Sequence, residues 1–128
     1  MMNEEYFMRI AWAVASGSQC KRAQVGAVIV DEQRRIVSTG FNGQPRGVDN
    51  NCEDCEGNTL PTVIHAEMNA ILFASRPLTG CTMYVTHSPC SRCSAFIMQT
   101  GLKEVVYDIP YKQNSILTNA RRIDRPHA

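Results

Sequence analysis

The side chains best suited to chemistry fall into two short clusters. His65-Ala66-Glu67 sets an imidazole two residues before a carboxylate, and Pro89-Cys90-Ser91-Arg92-Cys93 sets two thiols at C-x-x-C spacing behind a proline. One imidazole and two thiolates, from His65, Cys90 and Cys93, make three protein ligands for zinc. A catalytic zinc takes three so that its fourth tetrahedral position can hold water, whereas a structural zinc usually takes four. Two thiolates already cancel the charge of the dication, so Glu67 serves better as a proton carrier than as a ligand. It would take a proton from zinc-bound water, deliver it to the substrate beside the attacked carbon, and then protonate the leaving group. The competing reading, a core histidine, a solvated glutamate and a structural thiol clip, needs both clusters to arise independently.

These residues constrain the elements that carry them. Two residues apart on a regular helix is about 200° of rotation, so His65 and Glu67 cannot share a mid-helix face. The spacing predicts a metal approached end-on at a helix N-terminus, where the dipole and the free N–H groups also favour the thiolates of Cys90 and Cys93. Helical periodicity through Ala66, Ala70, Ile71 and Ala74 predicts a helix over Val63 to Ser75, with Thr62 as its cap and Pro77 beyond its end. Another helix is predicted from Cys90 to Gln99, stopped by Gly101. The order around them begins with a helix from Asn3, its possible cap, to Ser16, whose apolar face is Phe7, Ile10, Ala11 and Val14. A hairpin follows, from Val25 to Val30 and from Ile36 to Phe41, and then a long functional loop from Asn42 to Pro61. Strands are predicted at Thr82 to Thr86 and Glu104 to Tyr107, and a last helix from Ser115 to about Arg122. Such an order implies an α/β fold: a three-layer αβα sandwich, its mixed sheet of about five strands covered by helices on both faces.

The chain has 128 residues, 44% of them apolar, which suits one domain over 1–128. A net charge of +1 gives no general electrostatic case for binding long nucleic acid, although a small anionic ligand stays open. No apolar run approaches the ~20 residues of a membrane span, and a cytoplasmic location is expected, the host's cytoplasm for a virus-encoded chain. The six cysteines then read as metal ligands or buried thiols rather than a disulfide framework. Cys52 and Cys55 form a further C-x-x-C, while Cys20 and Cys81 stand alone, Cys81 as a small buried residue.

H-x-E followed by P-C-x-x-C is the signature of zinc deaminases. Together with Arg22 to Val28, Ser38 to Gly43, Ile64 to Leu72 and Met83 to Thr86, the chain resembles the deoxycytidylate deaminases of the cytidine deaminase superfamily from about Arg9 to about Tyr107. The resemblance implies zinc-dependent hydrolysis of dCMP to dUMP and ammonia, a supply of dUMP for dTMP synthesis, with zinc-bound hydroxide attacking C4 and Glu67 shuttling the proton. The alternatives are deamination of dCTP or another free cytosine nucleoside or nucleotide, a tRNA adenosine deaminase, and a zinc-binding module without turnover.

By the same resemblance Asn42 contacts the substrate sugar and the backbone of Ala66 faces the pyrimidine edge. Homo-oligomers, commonly hexamers, and a dCTP effector with Mg2+ are implied too. Effector and subunit contacts would fall at Phe41, Asn42, Gly43, Phe73 and Arg76, with Phe41 lacking the hydroxyl of the usual tyrosine. A second, structural zinc would use Cys20, Cys52 and Cys55, with His87, Asp54 or Asp49 as fourth ligand; unmetallated thiols are the alternative. Arg22, Arg46 and Lys112, beside Tyr111, are the candidates at the substrate phosphate.

Overall fold

A computed structural model describes residues 4–110 and 116–124. In chain order the elements are α1 (Glu4–Ala15), β1 (Gly26–Val30), β2 (Ile36–Phe41), α2 (Ala66–Leu72), β3 (Thr82–His87), α3 (Ser91–Thr100), β4 (Glu104–Ile109) and β5 (Ala120–Arg122). The strands make one sheet in the order β2-β1-β3-β4-β5. β1 pairs antiparallel with β2 and with β3, whereas β3, β4 and β5 run parallel. The predicted α/β layering is present. The expected cap Asn3 lies outside the described residues.

Strand alternation distributes the core between two faces. Ala27, Ile29, Met83, Val85 and Val105 join Ala66, Ala70 and Ile97 on the side of α2 and α3. Val28, Val30, Tyr84 and Val106 face the other way and pack on Phe7, Met8 and Ala11 of α1. β1 is buried along its whole length because both faces are covered, which is why it reads as an unbroken apolar run. Cys81 is fully buried among the first group, as its isolation in the sequence suggested.

Two differences from the sequence expectation concern helix boundaries and the C-terminal segment. α2 starts at Ala66, not Val63: His65 is extended at φ −70°, ψ 155°, and Thr62 donates its hydroxyl to Gln44 Oε1 at 2.8 Å instead of capping a helix. The predicted last helix is absent among the described residues, and Ala120–Arg122 forms β5. The open edge of β4 needs backbone partners, and Val105 N–H takes Asn119 O while Ile123 N–H reaches Tyr107 O at 2.7 Å. The helix-like spacing of Leu117, Ala120 and Ile123 instead sends Leu117 and Ala120 to the α2/α3 side and Ile123 to the α1 side. Arg121 bridges Glu104 and Glu4, tying β5 to β4 and to α1.

α1 sits so close to β1 that a Cβ on Gly26 would lie 2.1 Å from Ala11 O and 2.5 Å from Ala15 N. Backbone atoms cannot yield as a side-chain tip would. Gly26→Ala should therefore destabilise the chain by about 2–3 kcal/mol, the upper range for overpacking. A urea midpoint unchanged from wild type would show that α1 can move off the sheet freely.

Candidate active site

Both helices on the α2/α3 face begin at the same place. His65 is the residue before α2, and Cys90 is the residue before α3, where its sulfur accepts the Cys93 N–H at 3.5 Å. Cys93 Sγ lies 3.2 Å and Cys90 Sγ 3.5 Å from His65 Nδ1, and the three donor atoms all fall within 4.8 Å of one another. The geometry suits a tetrahedral zinc: bond lengths near 2.0 Å to nitrogen and 2.3 Å to sulfur require an N–S edge of about 3.6 Å. The end-on approach expected from the two-residue spacing is realised, because His65 precedes the helix while Glu67 lies in its first turn.

Glu67 keeps 4% of its surface exposed, and burial pushes its carboxyl up to about 7, a backbone hydrogen bond opposing in part. Burial also raises the Cys93 thiol, and the charges of Glu67 and Cys90 raise it further. Burial, with Arg92 second, lowers His65 and keeps its imidazole neutral. The metal-free pocket thus disfavours the Glu67 carboxylate and the Cys93 thiolate, charged forms that a dication would favour.

The loop after β2 is held to the same place. Asn42 donates from Nδ2 to Ala23 O at 2.8 Å and accepts Val25 N–H on Oδ1 at 2.9 Å. Its side chain clamps the segment before β1, with one N–H and one lone pair left for a ligand. Gly43 pairs with Ile64, the residue before His65. A cavity of about 850 Å3 opens beside this clamp, with Trp12, Arg22 and His87 among its lining residues.

The remaining expected residues are placed differently. Cys20 and Cys52 are joined in a disulfide, and Cys55 is exposed. The three-cysteine zinc site is therefore not assembled; the third donor beside the pair is Glu53, whose carboxylate accepts N–H groups of Lys21 and Arg22. Of the proposed fourth ligands, Asp54 and Asp49 accept backbone N–H groups within their own turns, and His87 pairs with Thr86. Spacing could not foresee this, because Cys20 comes from a different segment and its neighbours are set by the fold. Arg46 lies over the Phe73 ring at 5.8 Å, and Arg76 bonds Glu32 at 3.3 Å, so both are engaged within the chain. Tyr111 and Lys112 lie outside the described residues. Trp12 was missed by the sequence reading: it stands on the polar side of α1, yet donates to Asp108 across the fold at 2.8 Å. A lone tryptophan outside an apolar stripe was the available signal.

Fold and donor set together define a zinc-binding deaminase architecture, and the comparisons agree. Residues 1–109 match the cytidine and deoxycytidylate deaminase zinc-binding region. The chain belongs to that family, and its fold is cytidine deaminase-like. It is 50% identical over 101 residues to an uncharacterised deaminase from the luxG 3′ region of Aliivibrio fischeri, covering 77% of this chain and 67% of that protein. The deoxycytidylate deaminase of Mycobacterium phage D29 is 41% identical over 120 residues, covering 81% of this chain and 92% of its own. The dCMP deaminase of cyanophage S-TIM5, solved with dCMP and dUMP, has a TM-score of 0.85 at 34% identity, over 96% of this chain and 100% of that one.

The raised carboxyl has a measurable consequence for the metal-free chain. Glu67 moves from an ordinary 4.5 to about 7 on folding, so the folded state binds the extra proton and its stabilisation is complete below about pH 4.5. That contribution is lost as pH rises through about 7, on the order of 3 kcal/mol at roughly 1.4 kcal/mol per pH unit. Glu67→Gln should remove this part of the pH dependence of the denaturation midpoint, measured in chelator; identical slopes for the two chains would place the carboxylate in water.

Proposed function

We propose that this chain is a zinc-dependent enzyme that hydrolyses dCMP to dUMP and ammonia. The observation that carries the reading is the meeting of His65, Cys90 and Cys93 at the starts of two helices, with the buried carboxyl group of Glu67 in the first turn of one of them. His65, Cys90 and Cys93 would hold the metal, which when bound supplies a water acidic enough to act as nucleophile near neutral pH.

The chain's own groups do the rest. Glu67 carries protons: it accepts one from the attacking water and gives it to the pyrimidine nitrogen beside C4, then accepts the second from the new C4 hydroxyl and passes it to the amino nitrogen as the C4–N bond breaks, so that it ends as it began. Its burial keeps it from exchanging with bulk water during the transfer. The Asn42 amide, steadied by Ala23 and Val25, offers its remaining donor and acceptor to the sugar, and the buried start of α2 at Ala66 borders the base. Arg22, beside Lys21 at the cavity, is a cation available to the phosphate; Lys112 and Tyr111 are further candidates. The names of the phage relatives favour dCMP over dCTP or a free nucleoside.

Leu72 and Phe73 at the end of α2, with Phe96 and Met98 on α3, expose large apolar side chains. This supports a homo-oligomer, and a hexamer is the state we propose from the family. A dCTP effector with Mg2+ would sit against Phe41 to Gly43; Phe41 exposes its ring there. Stimulation of dCMP turnover by added dCTP would support that site, and an unchanged rate would remove it.

Glu67→Gln should retain one zinc per chain by metal analysis and lose ammonia release from dCMP by at least a thousandfold, in the upper range for lost acid–base catalysis. Cys93→Ser should lose the zinc as well. Turnover surviving in Glu67→Gln would refute the proton-carrier role, while wild-type silence on dCMP with activity on dCTP would move the substrate to the triphosphate.

A further inference from the structure

The cavity at the end of α1 brings the cations Lys21 and Arg22 together with Ser18, Gln24, Trp12 and His87. It shares two chain segments with the metal donors. His87 lies three residues before Cys90. Ser18 donates to Asn42 O at 2.9 Å, and Gly43, next in the chain, pairs with the residue before His65. The cavity is thus tied to the donors by two short stretches of chain.

His87 is held in a defined orientation. Thr86 Oγ1 lies 2.8 Å from His87 Nδ1 and already accepts the Gly26 N–H at 3.2 Å. With its oxygen engaged by Gly26, the hydroxyl can give its own proton to Nδ1, and in that tautomer the ring hydrogen sits on Nε2. Trp12 stands 5.7 Å from the imidazole, ring centre to ring centre, and is itself anchored by its indole N–H on Asp108 at 2.8 Å. Burial lowers the His87 pKa, with the Asp108 charge opposing, which keeps the ring a neutral single donor. Four residues from three strands and a helix fix this side chain at the cavity.

We propose that His87 is a specificity-determining residue, whose Nε2–H donates to the phosphate-bearing end of the substrate nucleotide while Trp12 holds the imidazole in place. The assignment rests on the nucleotide deaminase reading. Lys21 and Arg22, both exposed, supply attraction for the anion that water largely screens; the oriented donor supplies direction.

Trp12 is the only tryptophan in the chain, so its fluorescence reports on the cavity without any need for turnover. With the zinc-loaded protein, dUMP should change the emission saturably. His87→Leu should weaken dUMP at least tenfold while changing deoxyuridine, which lacks the phosphate, by less than twofold. In ammonia release the same variant should raise KM for dCMP at least tenfold, with a smaller change in kcat, and His87→Gln, which keeps a donor, should recover most of the loss. Equal weakening of dUMP and deoxyuridine, an unaltered KM, or no advantage of Gln over Leu overturns the assignment. Wild-type protein that neither releases ammonia from dCMP nor binds dUMP overturns the nucleotide reading and this one with it; normal dCMP turnover in His87→Leu overturns this one alone.

Discussion

α2 has seven residues, too few to be a stable helix by itself, and what fixes it against the sheet also fixes the reactive groups. Asn69 donates to Phe41 O at 2.8 Å, and Ser38 donates to Ala70 O. Gly40 lets the helix backbone approach so closely that a Cβ there would lie 2.4 Å from Ala70 N. The Gly43–Ile64 bridge sets the chain entering the helix. Height and direction of His65 and Glu67 follow from these contacts with β2. The antiparallel β1–β2 hairpin is in this sense part of the metal site, although it contributes no ligand.

The second constraint is electrostatic. A neutral imidazole, a buried thiol and a buried carboxyl group meet at the starts of two helices, and loss of solvation makes each resist ionisation there. Placing the donors at helix starts softens that resistance for the thiols, since the dipole and the free N–H groups favour negative charge. The Cys93 N–H turned toward the Cys90 sulfur is one such contact. A dication completes the balance for the thiols and leaves Glu67 free to exchange protons.

Around this centre, hydrogen bonds between distant segments shape the space a substrate would enter. Asn42 joins the loop after β2 to the segment before β1, and Trp12 joins α1 to the end of β4. The Cys20–Cys52 disulfide and Glu53 tie the long loop to that same segment, which lines the cavity. The five-strand parallel and antiparallel arrangement supplies the platform, with α1 closing the face opposite the metal donors.

His65, Glu67, Cys90 and Cys93 were legible in the sequence because their roles depend on short spacings and on helix starts, which are local properties. The alternation of strands and helices, and the burial of β1 on both faces, were legible for the same reason: periodicity records which side of an element meets the core. The outcome at β5 was not, since the apolar spacing there also fits a helix and only the open edge of β4 decided between them. Nor were the disulfide partners, the use of Arg46 and Arg76 within the chain, or the link from Trp12 to Asp108, which spans 96 positions. A sequence determines what each residue can bond to and which face it turns inward. Which distant group arrives at bonding distance depends on how the packed layers bring separate segments together, and that was decided by the tertiary structure alone.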